Sequence, residues 1–376
     1  MIEWHSLKAF AATPIETLEE QARSWISSPD MHLPAAEEAV QSRLAVLRDR
    51  TAEALVGRER LVDCVIASLV SGVPMVVLGP PGTGKSMCIR LLSESCLGGT
   101  TRGESRRIST PYFEYLLTSH TMPEELFGPP DLQRLRDGVF ERRTEGMLPE
   151  AEFAFLDEVF RGGPHILNTL LSILNERRFH DGSRSRKLPL LGVIAASNHP
   201  PSDPDVAAFF DRFPIRLWVS SILEEGNNVS SQDFTSTLAE LLEKSTKHEQ
   251  NRLVSGDVDA NDPVACTNDF RAGASILAAQ QFGGGELNER GEEFAEAAHR
   301  VRRLLDLSDR GLTAVWRFGA ALDWLAGRSI TGSNSVDGCT GHLDALEFAA
   351  RSPQLADRSR QAINAVRNGQ GVRANY

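Results

Sequence analysis

The chain has 376 residues, a hydrophobic share of 41% and a formal net charge of −11. This length suffices for two or three domains, and the hydrophobic share excludes global disorder. The negative charge argues against a dedicated nucleic-acid-binding protein. No apolar run approaches the ~18 residues that a membrane span needs, and the first residues lack the basic-then-apolar layout of a signal peptide.

The cysteines are scattered along the chain and form no C-x-x-C pair. This usage is typical of buried thiols in a reducing compartment. Together with the missing signal peptide and membrane span, it predicts a cytoplasmic protein. The cysteines are Cys64, Cys88, Cys96, Cys266 and Cys339.

The first 50 residues are predicted to form a helical extension. Pro14 opens a stretch whose apolar residues, up to Trp25, share one helix face. Pro34 precedes a second stretch, in which Leu44 and Leu47 have helical spacing. We expect the extension to pack on the main domain, and a partner-binding arm is the alternative.

A phosphate-binding loop is the strongest motif of the sequence. The apolar run Met75–Leu78 predicts a buried parallel strand, and Gly79–Ser86 fits the pattern G-x-x-x-x-G-K-[ST]. Two glycines let the backbone curl so that successive N–H groups point at a phosphate chain. Lys85 can reach the β- and γ-phosphates of a nucleotide, and the Ser86 hydroxyl can bind Mg²⁺. A chance glycine-rich turn is the alternative, and the order strand, loop, helix favours the phosphate loop.

A strand is predicted over Tyr112–Leu117, and a surface insertion follows it. Residues 121–130 are dense in Pro and Gly, which indicates a turn or loop. Residues 131–148 are polar with scattered apolar positions. We therefore expect an insertion there and no core.

Two acidic residues end the predicted strand Phe153–Leu156. In α/β proteins, functional sites lie at the carboxyl ends of parallel strands. Asp157 is therefore predicted to hold Mg²⁺ through water, and Glu158 to orient and deprotonate an attacking water. A solvated acidic turn is the alternative, and the phosphate loop upstream favours the functional interpretation.

A helix over 165–176, a basic hairpin over 177–187 and a buried strand over 190–196 are predicted next. The strand leads into Asn198, which would lie beside the strand that carries Asp157. Asn198 could then hydrogen-bond a phosphate or the attacking water. Alternatively, it only starts the turn at the two prolines that follow.

Arg212 and Arg216 lie among aromatic residues just beyond this turn. An arginine there could form a structural ion pair, or it could present its charge to a neighbouring subunit. The residues themselves do not decide between these interpretations.

Helical patterns replace strand patterns from about residue 220. Loops are expected at 246–267 and 283–285. Ser308 and Asp309 predict an N-cap for the last of the helices. Arg310 in the first turn opposes the helix dipole, which favours a phosphate partner for it. The predicted helices cover 234–242, 270–278, 294–305 and 312–325.

These motifs together resemble those of the AAA+ ATPases and, within them, the MoxR family. Within that family they resemble the RavA branch most. The resemblance covers about residues 51–330, and the run from 121 to 218 is specific to the family. The long N-terminal extension is unusual for the family. RavA carries further domains after its lid, so no RavA-specific target is carried over. The stretches that carry the resemblance are Gly79–Ser86, Pro123–Pro129, Leu148–Glu158, Ile166–Leu171, Leu174–Phe179, Ala195–Asn198 and Ser308–Arg310.

The resemblance implies an α/β fold with a parallel central sheet flanked by helices and an α-helical lid domain. Residues 1–50 would be the extension, 51–221 the nucleotide-binding core, and 222–376 the lid with a short helical tail. The resemblance also implies a ring, usually a hexamer, with ATP and Mg²⁺ bound between subunits. Residues 129–148 would face the axis of this ring.

The resemblance also implies roles for single residues. By position, Asn198 looks like the sensor-1 residue and Arg310 like the sensor-2 arginine of the lid. Arg212 looks like the arginine finger that reaches the γ-phosphate of the next subunit, with Arg216 as the alternative. The residues expected to bind nucleotide are Leu55, Val56, Gly57, Pro81, Gly82, Thr83, Gly84, Lys85, Ser86 and Met87, with Ser86 and Asp157 at the metal.

The resemblance to MoxR-type ATPases further implies a partner protein with a von Willebrand A domain and a target that is remodelled or activated. We therefore expect an ATP-driven ring ATPase with a protein target. A nucleic-acid motor is the first alternative, because the hairpin 177–187 is basic, although the net charge of −11 disfavours it. A slow, nucleotide-gated assembly scaffold is the second. A small-molecule kinase is disfavoured, because the pair Asp157 and Glu158 suits attack by water.

Overall fold

The computed structural model describes residues 33–97, 112–181, 184–201, 203–221, 239, 267–282, 294–299, 301, 305, 307–327 and 341–367. The predicted N-terminal stretch from Pro14 to Trp25 lies outside these residues, as does nearly all of the predicted helix 234–242. Cys64 and Cys88 are free and buried.

The chain alternates strands and helices up to residue 218 and is helical beyond it in the part described. Residues 294–299 are helical, as predicted. The strands are β1 (Met75–Leu78), β2 (Tyr112–Leu116), β3 (Phe153–Asp157), β4 (Arg178–Asp181), β5 (Arg184–Lys187), β6 (Gly192–Ser197) and β7 (Ile215–Trp218). The helices are α1 (Leu33–Glu53), α2 (Glu59–Ser71), α3 (Lys85–Leu97), α4 (Pro123–Phe127), α5 (Leu132–Arg136), α6 (Pro164–Glu176), α7 (Pro204–Phe210), α8 (Thr267–Phe282), α9 (Asp309–Leu325), α10 (Gly341–Glu347) and α11 (Pro353–Arg367). Within the described residues, no helix combines the length and the apolar character that crossing a membrane requires.

Five strands form one parallel sheet in the order β2-β3-β6-β1-β7. This confirms the predicted fold class. Because all strands point the same way, the carboxyl ends of β1, β3 and β6 lie side by side at one edge. We call this the carboxyl edge, and the other the amino edge.

Helices cover both faces of the sheet. Met75 and Val77 of β1 belong to one cluster of buried apolar residues, and Val76 and Leu78 to a second. Successive side chains of a strand point to opposite faces, so both faces are buried. Helices α2 and α3 contribute to the first cluster, and α6 and α7 to the second.

Helix α1 connects the sheet-bearing part of the chain to the C-terminal helices α8 and α9, and residue 50, the expected domain boundary, falls inside it. Its Leu44 is fully buried, and it packs against α2, α3, α8 and α9. Trp324 of α9 donates its indole N–H to Glu37 Oε1 at 2.7 Å. Arg43 Nε donates to Asp269 Oδ1 of α8 at 2.8 Å.

The predicted hairpin is formed by β4 and β5, which pair antiparallel. The predicted insertion carries the short helix α5 and exposes Leu132, which is 68% accessible. Just before it, Phe127 stacks on Phe179 of β4 with ring centroids 5.3 Å apart. The backbone N–H of Arg142 donates to Asp181 Oδ2 at 2.7 Å. The insertion and the hairpin are therefore neighbours.

Arg216 joins the edge strand β7 to the segment that follows α10. Its side chain is 3% exposed, and Nη1 donates to Ala349 O at 2.7 Å. Nη2 lies 3.4 Å from Asp211 Oδ1, and the guanidinium stacks 4.5 Å over the ring of Phe210. Its backbone N–H donates to Phe348 O. Of the two interpretations of the sequence, Arg216 thus fits the structural one.

We expect Arg216→Gln to lower the free energy of unfolding by about 2–3 kcal/mol, because hydrogen bonds made by a buried charged group are lost. Arg212→Gln is the matched control, four residues earlier, and should change it by less than about 0.5 kcal/mol. Urea unfolding followed by tryptophan fluorescence measures both. Equal losses in the two variants would contradict the structural role of Arg216.

Candidate nucleotide-binding site

The phosphate loop begins where two backbones approach closely. A Cβ at Gly79 would lie 1.9 Å from Val219 O, so only glycine fits. Gly79 N donates to Ser197 O at 3.3 Å, and Val219 N donates to Leu78 O at 2.7 Å. The chain leaving β1 is thus held by the ends of both neighbouring strands before the loop opens.

The loop turns its carbonyl groups toward its own chain. Lys85 Nζ donates to Gly79 O at 2.7 Å and to Pro80 O at 2.8 Å. Within residues 82–84, no described residue accepts a hydrogen bond from the backbone N–H of Gly82 or Gly84. Two glycines in this run have φ of +79° and +81°, which other residues rarely adopt. The loop therefore offers unpaired N–H donors, as phosphate binding requires.

Lys85 lies between the loop and the acidic end of β3. Its Nζ is 3.3 Å from Asn198 Oδ1. Burial lowers the pKa of Lys85, and the charges of Asp157 and Glu158 counteract that shift only in part. The Lys85 ammonium therefore lies next to the residues at the carboxyl ends of β3 and β6, which are Asp157, Glu158 and Asn198.

Ser86 and Asp157 are in direct contact. Ser86 Oγ donates to Asp157 Oδ2 at 2.8 Å, and Asp157 Oδ1 accepts from Glu158 N at 2.9 Å. A hydroxyl and a carboxylate are the oxygen donors that Mg²⁺ takes beside water and phosphate. In the described part of the chain, no cluster of three or more acidic, His or Cys side chains could hold a metal alone. The two residues fit a magnesium ion that keeps most of its other ligands from solvent and nucleotide.

Glu158 has an unusual backbone and a fixed side chain. Its φ is +50°, in the left-handed region, where a residue without a glycine's freedom is strained. The carboxylate is 13% exposed, accepts a hydrogen bond from Asn198 Nδ2 on Oε1, and has Arg161 Nε at 3.4 Å from Oε2. Such outliers concentrate at functional sites. Arg161 gave no signal in the sequence, because the contact depends on the turn after β3.

A cavity of about 190 Å³ opens beside Glu158. Its walls are the turn after β3, the end of β6 and the start of α7. The cavity is large enough for several water molecules next to the carboxylate. Its lining residues are Glu158, Phe160, Arg161, Ser197, His199, Pro200, Pro201, Asp203 and Val206.

The segment predicted to line an adenine pocket precedes α2. Leu55 and Val56 are buried at 5% and 9% exposure, and Gly57 has φ of +59°. The next residue, Arg58, is only 6% exposed and donates Nε to Thr83 O at 2.8 Å. Sequence reasoning missed Arg58, because it looks like an ordinary surface arginine at a helix start.

Two further residues named from the sequence flank the loop. Pro81 is exposed at its tip, and Met87 is partly buried against the core cluster that contains β1. The structure thus brings together Lys85, Ser86, Asp157, Glu158 and Asn198 at the carboxyl edge. Arg58 connects the segment before α2 to the phosphate loop through its hydrogen bond to Thr83 O.

Arg212 does not lie with this group. It precedes β7, whose four residues span roughly 13 Å, so it lies at the amino edge. Its backbone N–H donates to Phe209 O, and its Nε is buried without a hydrogen-bond acceptor. No described residue forms an ion pair with its guanidinium. Arg212 is therefore held away from the phosphate loop of its own chain.

Arg310 also lies away from the loop. The predicted N-cap is present, because Ser308 Oγ accepts from Gly311 N at 3.2 Å. However, Arg310 Nη1 donates to Asn175 Oδ1 at 3.3 Å, and Asn175 lies at the end of α6 near the amino edge. The sequence favours a phosphate partner for Arg310, and within this chain its guanidinium contacts the Asn175 amide.

Comparisons with known proteins show what the chain is similar to. Residues 42–258 match the family model of the MoxR domain in the MoxR–vWA–β-propeller ternary systems. Two uncharacterised proteins of Methanocaldococcus jannaschii are 38% and 39% identical over 184 and 180 residues. These matches cover 49% and 48% of this chain and 45% of each relative, so the chain spans less than half of their length.

The chaperone MoxR1 of Mycobacterium tuberculosis is similar at 24% identity over 146 residues, which are 39% of this chain and 35% of that protein. A solved structure from Cytophaga hutchinsonii, described as a candidate ATPase, matches with a TM-score of 0.58. It is 16% identical, and the match covers 90% of this chain and 98% of that one. This likeness concerns the fold alone, which is the α/β fold of AAA+ P-loop NTPases. Because the matched family model covers more than half of the chain, the chain belongs to the MoxR family of AAA+ ATPase domains, as found in the MoxR–vWA–β-propeller ternary systems.

Proposed function

We propose that the chain hydrolyses ATP in a ring of identical subunits and uses this energy to remodel or activate a protein target. One observation carries the proposal. The side chains of Lys85, Ser86, Asp157, Glu158 and Asn198 meet at the carboxyl edge. The guanidinium of Arg212, which pairs with no described residue, lies at the amino edge.

The residues at the carboxyl edge fit water attack on a triphosphate. The loop N–H groups and Lys85 would hold the phosphates, and Ser86 with Asp157 would hold Mg²⁺, which neutralises phosphate charge when bound. Glu158 would act as general base for a water placed in the adjoining cavity. Asn198, bonded to both Lys85 and Glu158, would orient that water relative to the γ-phosphate. The adenine would lie against Leu55–Gly57.

The position of Arg212 supports the ring. A guanidinium about one strand length from its own loop cannot reach its own nucleotide. Since it pairs with no residue in the described part of the chain, it would be available to the nucleotide of an adjacent subunit. Arg216 is tied to Ala349 and Asp211, so we propose Arg212 as the arginine finger. Arg310 also lies near the amino edge, where it contacts Asn175. A sensor role for Arg310 would therefore act on the nucleotide of another subunit.

The partners follow from the family. The family description names a von Willebrand A protein and a β-propeller, and we propose both as components of the same system. The chaperone relative supports a protein target. The likeness to the RavA branch rests on sequence motifs alone, and a hexamer is the expected ring. We propose a cytoplasmic location because Cys64 and Cys88 are free and buried.

The basic hairpin gives little support to a nucleic-acid motor. Arg177 Nη2 donates to Gly72 O at 2.7 Å, and Arg178 Nε donates to Ser185 Oγ at 2.9 Å. Arg186 lies 3.8 Å from Glu150. These contacts within the chain account for part of the basic charge, so the structural interpretation of the hairpin is favoured.

Glu158→Gln should retain ATP binding and lose turnover by about 10²-fold or more, because only the water-activating carboxylate is removed. Lys85→Ala should lose binding, because a cation beside the triphosphate is gone. Glu176→Gln, at the far end of α6, is the control and should leave both unchanged. Calorimetric titration with ATP and steady-state phosphate release give the two readouts.

A rate of Glu158→Gln close to that of wild type would show that the base is assigned wrongly. A wild-type rate that stays very low even with a von Willebrand A partner would favour the slow assembly scaffold instead.

Arg212→Ala should bind ATP almost normally and lose turnover by about 10³-fold or more, as expected for an arginine finger. Mixing it with Glu158→Gln should restore activity, because a mixed ring can pair an intact Glu158 with an intact Arg212 of the neighbour. Lys85→Ala mixed with Glu158→Gln is the matched control. Both residues belong to one site, so this mixture should stay inactive.

The mixtures are to be assayed where sedimentation shows rings. Rings without restored activity in the Arg212→Ala mixture would return Arg212 to a structural role. Equal restoration in both mixtures would show that the assay does not report contact between subunits.

A further inference from the structure

We propose that Arg58 is a positioning residue that fixes the orientation of the peptide between Thr83 and Gly84, so that the Gly84 N–H faces the phosphate chain. The inference rests on the proposed nucleotide binding and deepens it. Neither the phosphate-loop pattern nor the predicted adenine segment includes Arg58.

Arg58 gathers three backbone carbonyls from three separate segments. Nε donates to Thr83 O at 2.8 Å, Nη2 to Ser220 O at 2.8 Å, and Nη1 to Gly57 O at 3.2 Å. The residue is 6% exposed. Since hydrogen bonds from a charged donor are about twice as strong as neutral ones, this guanidinium holds the three segments firmly together.

The contact with Thr83 decides which way a peptide faces. In a planar trans peptide the C=O and the N–H point in opposite directions. Because the Thr83 carbonyl points at Arg58, the Gly84 N–H points into the loop. No described residue accepts a hydrogen bond from that N–H, so it is available to a ligand.

The glycine in this peptide makes the constraint necessary. Gly84 has φ of +81°, with no atom within 4 Å of a Cβ built on it. Glycine adopts positive and negative φ about equally well, so neither sterics nor backbone preference at Gly84 holds this peptide in one orientation. A reversed peptide would present the Thr83 carbonyl oxygen to the phosphates, which repels an anion.

The other two hydrogen bonds connect the Arg58 guanidinium to the segment before α2 and to the segment after β7. Gly57 belongs to the segment expected against the adenine, and Ser220 follows β7 near residue 221, the expected end of the nucleotide-binding core. These three hydrogen bonds of Arg58 all go to backbone carbonyls, and none of the three goes to Glu158 or Asn198, the groups that would act on water. Loss of Arg58 should therefore weaken nucleotide binding and leave the chemical step largely intact.

The test compares Arg58→Gln with Arg177→Gln in the full-length chain. Arg177 is a matched control, because its Nη2 also donates to two backbone carbonyls, Gly72 O at 2.7 Å and Leu191 O at 3.2 Å. Those carbonyls lie at the amino edge, away from the loop. Titration calorimetry with ATP and with ADP gives Kd, phosphate release gives kcat and KM, and urea unfolding gives stability.

We expect Arg58→Gln to raise Kd for ATP at least tenfold and KM likewise, with kcat within about threefold of wild type. Arg58→Lys should give an intermediate Kd, because an ammonium can reach Thr83 O but cannot bridge three segments. Arg177→Gln should lower stability comparably and leave Kd unchanged. If Arg58→Gln does not fold, Arg58→Lys decides by the same comparison.

Wild-type Kd in Arg58→Gln, or an equal rise in Arg177→Gln, would overturn the inference while leaving the proposed function in place. A wild-type chain that binds neither ATP nor ADP would overturn the proposed function itself.

Discussion

The structure depends on one close approach between two backbones. Gly79 leaves β1 against Val219 O, at a distance that no side chain could tolerate. This contact fixes where the loop starts relative to β6 and β7, and so relative to Asn198. The parallel sheet then brings the end of β3, with Asp157 and Glu158, to the same edge. The site is thus built from strand ends that are far apart in sequence, and the pairing of the strands in the sheet determines its geometry.

Much of this could be read from the sequence because the signals are local. The apolar run before Gly79, the loop pattern, the acids after β3 and the Asp-Gly of the hairpin each specify a structure within a few residues. The order of β1, β3 and β6 in one parallel sheet then follows from the resemblance to a known fold. That is why the sequence predicts Ser86, Asp157 and Asn198 at one edge of the sheet, where the structure has their side chains in contact with each other or through Glu158 and Lys85.

Apart from Arg161, which contacts Glu158 within one turn, the residues that the sequence could not place make contacts over long separations. Arg58 bonds to a carbonyl 162 residues away, Arg216 to one 133 away, and Arg310 to an amide 135 away. An arginine carries no local mark that separates a buried tie from a surface charge, since its long side chain serves both. Arg216 and Arg212 are four residues apart. Only the packing of the C-terminal segment distinguishes them, because the guanidinium of Arg216 bonds to that segment and the guanidinium of Arg212 pairs with no described residue.

The same C-terminal segment has a consequence for synthesis. Phe348 O accepts from the backbone N–H of Arg216, so the outer edge of β7 is covered by a part of the chain made long after it. At ~5–20 residues per second, the stretch between them takes on the order of ten seconds to translate. During that interval a nearly complete sheet has an open edge, which is the feature that recruits strands from other chains. The nascent protein therefore lacks this cover on β7 until the segment after α10 has been made.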